Sequence, residues 1–103
     1  MKANTKAVLD YVVANDGKDF TAKDIAADLG LTPRQVNGII TAAFCRYKDA
    51  DKNIIPLMER EEKEVQLADG THEKVKFIRL TDAGRNFDVE ADEKAKAAAK
   101  DAE

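Results

Sequence analysis

The fold of this chain is decided by residues 24–39, which read DIAADLGLTPRQVNGI. The stretch predicts two short helices that meet at a tight turn, with Gly30 where the backbone needs a positive φ. One small residue must let the second helix cross close to the first, one apolar residue must fill the turn, and two must pack between the helices. The residues that meet these requirements are Ala26, Gly30, Leu31, Val36 and Ile39.

Both helices begin with signals that specify their first residues. Thr21 and Asp24 are spaced as a capping box, in which a hydroxyl and a carboxylate each accept a free backbone N–H. The segment Thr32–Gln35 repeats this pattern and has proline at the first helical position. The second helix is predicted over residues 33–46, with one apolar stripe along it: Val36, Ile39, Ile40, Ala43 and Phe44.

A helix-turn-helix needs a further helix to close its core. Residues 4–14 supply it, because their apolar side chains recur at helical spacing. This face is predicted to consist of Val8, Leu9, Val12 and Val13.

Beyond residue 48 the pattern predicts one long β-hairpin over Leu57–Leu80. Asp69-Gly70 is a hairpin turn signal. Pro56 limits the apolar run Ile54–Met58 to a strand start or an edge. The density of charge in the first strand leaves the pairing register open. Thr81 is expected to cap a short helix after the hairpin.

The composition is that of one globular domain with a charged tail. The chain has 103 residues, of which 44% are apolar, and no stretch approaches a membrane span. We expect the domain over residues 1–87 and an Ala/Lys/Glu-rich tail over 88–103. A single cysteine and a single histidine exclude an internal disulfide and disfavour a zinc site. With no signal-peptide core at the N-terminus, a cytoplasmic location is expected.

Charge is unevenly distributed along the chain. The net charge is −3, and residues 88–103 account for all of it with six acids and three lysines. Residues 1–87 are therefore neutral overall. Within them, residues 29–48 hold three basic side chains and no acid: Arg34, Arg46 and Lys48. The basic segment coincides with the second helix of the predicted turn.

The turn, followed by a hairpin that ends in Ile78-Arg79-Leu80-Thr81-Asp82-Ala83-Gly84-Arg85, resembles the winged helix-turn-helix family. The ending is similar to that of the wing in MarR-type bacterial regulators. The resemblance covers about residues 4–87 and implies an α+β, mostly helical fold, with a three-helix core and a β-hairpin wing. The chain departs from the MarR type in lacking apolar dimerisation helices. At the wing tip it has His72-Glu73-Lys74 where that family has an Asp-Arg pair.

The resemblance implies binding to double-stranded DNA, with the helix at 33–46 in the major groove. Arg34 is suited to guanine, and Gln35 or Asn37 to adenine. The candidate DNA-binding residues on this helix are Thr32, Arg34, Gln35, Asn37, Gly38 and Thr41, with Arg46, Lys48, Lys74 and Lys76 for phosphate contact. The expected protein is a nucleoid-associated transcriptional regulator of a bacterium or phage, without a metal or a small-molecule cofactor. A homodimer stays open, with Val89 and the alanines after it as its candidate seam.

Other interpretations stay open at this point. Thr32 serves as a cap in any case, and Cys45 is expected to be a packed, inert thiol. The acidic strand Glu59–Glu64 and the acidic tail suit a protein-interaction adaptor, since a fold does not fix its function. No catalytic constellation is present, so an enzyme is not expected. The tail itself is expected to be a frayed helix or a disordered end.

Overall fold

The computed structural model describes residues 1–101 of the chain. It is an α+β structure, about half helical, and the last two residues of the predicted tail, Ala102 and Glu103, lie outside the described part. The helices are α1 (Ala3–Ala14), α2 (Ala22–Leu29), α3 (Pro33–Ile39) with a π-helical segment (Ile40–Cys45) after it, α4 (Asp82–Arg85) and α5 (Val89–Asp101). The strands are β1 (Met58–Gln66) and β2 (His72–Leu80). No helix among the described residues is both long and apolar enough to cross a membrane.

The turn between α2 and α3 has the predicted geometry. Gly30 ends α2 with φ +70°, and the Leu31 N–H donates to the carbonyl of Ala26 at 2.9 Å. Both capping boxes are formed. Thr32 Oγ1 accepts from the Gln35 N–H at 3.1 Å, and the Gln35 side-chain oxygen accepts from the Thr32 N–H at 2.9 Å. Local hydrogen bonds therefore fix where both helices begin and how they turn.

The helix predicted over residues 33–46 is regular only to Ile39 and then widens into the π-helical segment. The Arg46 N–H donates to Thr41 O, five residues back, at 3.1 Å. The carbonyl of Phe44 accepts from the Leu57 N–H at 2.8 Å, which ties the end of the helix to the chain entering the hairpin. The π-helical turn occurs where the helix makes this contact with Leu57. No local sequence pattern predicts the contact.

The core lies between α1, α2, α3 and the base of the hairpin. Its buried side chains are Val8, Leu9, Val12, Phe20, Ala22, Ile25, Ala26, Val36, Ile40, Phe44, Leu57, Met58, Ile78 and Leu80. The prediction for Val13 was wrong, because its side chain is 52% exposed. Successive helical residues are about 100° apart, so Val13 lies roughly 40° beyond Leu9, outside the stripe that faces the core.

The hairpin is antiparallel, and its register pairs Met58 with Leu80 at the base and Gln66 with His72 near the tip. The first strand begins at Met58, one residue after the start predicted for the hairpin. Ile54 makes only an isolated bridge to Lys48 and is 62% exposed. The strand begins after Pro56, which has no N–H for a ladder, and only the last two residues of the apolar run enter the core.

Three contacts anchor the base of the hairpin. The Ile78 N–H donates to Phe20 O at 3.0 Å, and the Thr81 N–H donates to Leu57 O at 3.0 Å. Gly84 is buried so close to the same carbonyl that a Cβ there would lie 2.0 Å from Leu57 O. The glycine of the wing-ending motif therefore permits a close backbone approach, and the hairpin has a fixed place beside α3.

The tail is more ordered than predicted, because α5 packs against the rest of the chain. Val89 is half-buried against the core, and the Tyr47 hydroxyl donates to the carboxylate of Asp92. The Lys96 ammonium lies 4.5 Å from the centroid of the Tyr47 ring and 3.1 Å from Asp92 Oδ2. At the start of the chain, the amino group of Met1 lies 2.6 Å from Glu93 Oε1. These contacts join residues far apart in sequence.

Candidate nucleic-acid interface

The solvent face of α3 holds most of the predicted DNA-binding residues. Five of them are exposed, Thr32, Arg34, Gln35, Asn37 and Gly38, and Thr41 in the π-helical segment is half-buried. Among the described residues, Arg34 forms no ion pair. Its guanidinium is therefore an unpaired cation, and residues 29–48 around it contain no acidic residue.

Two of the predicted contacts are already engaged within α3. The Thr32 hydroxyl and the Gln35 side-chain oxygen are both used in the capping box, at 3.1 and 2.9 Å. The Gln35 oxygen is thus directed at the backbone N–H of Thr32, whereas reading adenine takes both the amide oxygen and the NH₂ group at the base edge. Base reading by Gln35, which stays a prediction, would require this side chain to leave the capping box.

Gly38 leaves open space on the same face, since a Cβ there would meet nothing within 4 Å. Beside it lies a shallow groove of about 380 Å³ between α3 and the start of α1, which includes Lys2 and Arg34. Another surface can therefore approach the backbone of α3 closely at this point.

Arg60 on β1 is the main feature that the sequence analysis missed. Its Nη2 donates to Thr41 Oγ1 at 3.0 Å and to both the backbone oxygen and the side-chain oxygen of Asn37 at 3.3 Å. Its Nη1 donates to Cys45 Sγ at 3.5 Å. Because side chains alternate along a strand, the sequence predicts that Arg60 and Met58 lie on the same side of β1. That this side faces α3 follows only from the structure.

A second groove, of about 450 Å³, separates α2 and α3 from β2. Its lining includes four cations, Lys23, Arg60, Lys74 and Lys76, and one acid, Glu73. The predicted phosphate contacts Lys74 and Lys76 are thus next to the start of α3. Lys23, in the first turn of α2, was not among the predicted contacts.

Several hairpin cations are paired with acids inside the hairpin or at its base. Lys74 Nζ lies 3.8 Å from Glu62 Oε1. Arg79 lies between Glu61 Oε2 at 2.9 Å and Asp19 Oδ1 at 2.5 Å. The hydrogen bonds that Arg79 donates to Asp19 and Glu61 raise the pKa of Arg79, and the one that Glu61 accepts lowers the pKa of Glu61. The charges of Lys74 and Arg79 are therefore largely balanced by neighbouring carboxylates.

Arg46 and Lys48 lie at the other end of the helix, away from the hairpin lysines. They line a groove of about 550 Å³ together with Asp92, Glu93 and Lys96 of α5. Burial, followed by hydrogen bonding to Asp92, raises the pKa of Tyr47 in the same groove. The acids of α5 therefore stand near two of the predicted phosphate contacts.

The described residues hold no group of three His, Cys, Asp or Glu side chains arranged to bind a metal ion. Cys45 is half-buried beneath Arg60, and His72 is exposed at the end of β2, 3.4 Å from Glu64. No protein-family model, curated protein or solved structure matches the chain.

Proposed function

We propose that the chain is a winged helix-turn-helix protein that binds duplex DNA sequence-specifically and acts as a small transcriptional regulator of a bacterium or phage. The observation that supports this best is the exposed face of α3, where Arg34 has no acidic partner among the described residues. An α-helix fits the major groove of B-form DNA, and residues near its N-terminus then meet base edges.

Each part of the interface has a distinct role in this proposal. Arg34 donates to guanine O6 and N7, the commonest specific contact in the major groove. Gly38 lets the helix lie close to the duplex. Lys23 and Lys76, on either side of the second groove, contact backbone phosphates and orient the helix without reading sequence.

The net charge of −3 limits the electrostatic part of the binding. Steering toward a polyanion depends on where the cations lie rather than on the total charge. Here Arg34 on α3, and Lys23 and Lys76 beside the second groove, form no ion pair among the described residues, while the tail contributes repulsion. The proposal therefore predicts modest affinity, carried mainly by α3.

The direct test is a fluorescence anisotropy titration of labelled duplex fragments with the full chain at several salt concentrations. Affinity should fall steeply between roughly 50 and 300 mM salt, because phosphate contacts release counterions. Arg34→Ala should weaken binding to a preferred fragment about tenfold, since a bidentate base contact contributes ~1–3 kcal/mol. Lys94→Ala on α5 is the matched control and should leave binding unchanged. Absence of binding at low salt, or equal binding by Arg34→Ala, contradicts the proposal.

A second candidate function, a protein-interaction adaptor, is favoured by one different observation. A groove of about 460 Å³ between the loop at residues 49–57, α4 and α5 has apolar walls that include Ile55 and Phe87. Its lining contains four acids and no lysine or arginine: Asp49, Asp51, Asp88 and Asp92. Recovery of a stable protein partner by a variant that lacks the charge of α3 would favour this function over DNA binding.

A further inference from the structure

The guanidinium of Arg60 bridges the hairpin and α3 without an acidic partner in the described part of the chain. Four acceptors surround it instead: Asn37 O, Asn37 Oδ1, Thr41 Oγ1 and Cys45 Sγ, at 3.0–3.5 Å. Asn37 remains exposed to solvent, whereas Arg60 and Thr41 are half-buried. Arg60 therefore contacts Asn37 from the hairpin, while the Asn37 side chain stays exposed on α3.

The chemistry of a guanidinium fixes the orientation of the Asn37 amide. Arginine has five N–H donors and no acceptor, so only the amide oxygen can face it. The NH₂ group of Asn37 is then directed away from Arg60. The Thr41 oxygen likewise accepts from Arg60, which leaves its O–H as a donor to a different partner. Both side chains therefore present N–H or O–H donors.

This orientation matters for base recognition. Adenine presents an acceptor, N7, beside a donor, N6–H₂, so an asparagine that reads it uses both its oxygen and its nitrogen. Guanine presents two acceptors, N7 and O6. With its oxygen held by Arg60, Asn37 matches an edge made of acceptors, which differs from the adenine preference expected from the sequence.

We infer that Arg60 is a positioning residue that determines specificity: it holds Asn37 and Thr41 as hydrogen-bond donors, so that the base pair opposite Asn37 is read as guanine in preference to adenine. The inference rests on the proposed DNA binding by α3. It adds that the hairpin takes part in base recognition through α3, without Arg60 itself touching a base. Loss of Arg60 would then change which base is preferred at one position, which loss of a phosphate contact would not do.

The test is selection from a randomised duplex library by the full chain, followed by sequencing of the bound fraction. The wild type should enrich a sequence motif. Asn37→Ala should enrich the same motif without a base preference at one base pair, which identifies the pair opposite Asn37. Arg60→Met, which keeps the apolar stem and removes the donors, should lower the guanine-over-adenine preference at that same pair about tenfold. Arg60→Lys keeps a donor and should retain part of the preference.

The controls separate this inference from the proposed function. Arg79→Met alters a hairpin arginine that contacts Asp19 and Glu61 instead of α3, and it should leave the motif unchanged. Thermal unfolding by circular dichroism confirms that each variant is folded before selection. An unchanged preference at the Asn37-dependent pair in both Arg60→Met and Arg60→Lys overturns the inference while leaving DNA binding intact. A wild type that enriches no motif overturns both.

Discussion

The exposed cations of α3 and of the hairpin differ in what surrounds them. Arg34 on α3 and Arg46 after the π-helical segment form no ion pair within the described residues. On the hairpin, Lys63, Lys74 and Arg79 each lie within 4 Å of a glutamate carboxylate on β1. Lys76 is the exception on the hairpin, since it forms no ion pair among the described residues. The difference shows that similar residue types have different potential for binding: a cation paired with a carboxylate has less to offer a polyanion than an unpaired one.

The two regions are nevertheless one unit mechanically. Gly84 and Leu57 pack the base of the hairpin into the core, and Arg60 reaches from β1 to α3. A hairpin held in this way can influence α3 even where its own lysines contribute little.

The largest effect is expected where Gly84 packs against Leu57 at the base of the hairpin. Gly84→Ala should lower the free energy of unfolding by about 3 kcal/mol, because the new methyl group overlaps Leu57 O and forces the backbone apart. Urea unfolding followed by circular dichroism measures the change.

Gly38→Ala is the matched control for this glycine. Its new Cβ meets nothing within 4 Å, and alanine favours a helix over glycine by about 0.5–1 kcal/mol, so the chain should become more stable. If Gly84→Ala lowers the free energy of unfolding by less than about 1 kcal/mol, the contact between Gly84 and Leu57 tolerates a side chain. The base of the hairpin would then not be held rigidly in the core.

A smaller effect is expected for the start of α3 alone. Thr32→Ala removes the acceptor for the Gln35 N–H and should cost about 1 kcal/mol of unfolding free energy. Thr32→Ser keeps the hydroxyl and should stay close to the wild type. If both variants are equally stable, the cap does not hold α3 in place and the prediction fails.

The smallest effect concerns the hairpin and depends on pH. The hydrogen bond from Arg79 lowers the pKa of Glu61, so this carboxyl binds a proton more readily in the unfolded chain than in the folded one. Its contribution to stability is therefore present above the unfolded pKa of about 4.3 and is lost as the pH falls through the lower folded pKa.

Denaturant unfolding at neutral and acidic pH checks this contribution. Glu61→Gln should be less stable than the wild type at neutral pH, and the two should converge once Glu61 is protonated. Glu59→Gln serves as control, since Glu59 forms no ion pair among the described residues. A difference for Glu61→Gln that persists unchanged in acid would point to packing instead of charge.

The features that the sequence predicted correctly depend on short-range interactions. The capping boxes span three residues, and the turn at Gly30 is specified by its neighbours, so these appear directly in the order of residues. The burial of Val36 and Ile40 follows from helical periodicity in the same way. The predictions that DNA contacts Arg34, Lys74 and Lys76 stay predictions.

The features that the sequence did not predict depend on partners distant in the chain. Arg60 and Asn37 are 23 positions apart, and Tyr47 and Asp92 are 45 apart. No periodicity connects such residues, because their contact depends on the register of the hairpin and on where α5 packs. The same applies to the π-helical segment, whose end is tied to Leu57. Prediction from the sequence therefore failed for contacts between residues that only the tertiary structure brings together.

In the proposed complex, α3 contributes more to DNA binding than the hairpin does. The most direct test titrates one preferred duplex with the wild type, Arg34→Ala and the double variant Lys74→Ala/Lys76→Ala under the same buffer conditions. The proposal predicts a loss of about tenfold for Arg34→Ala. The double variant should lose no more than a few-fold, because Lys74 is already paired with Glu62 and Lys76 supplies a single phosphate contact. A tenfold loss on the hairpin with near-normal binding by Arg34→Ala would contradict it.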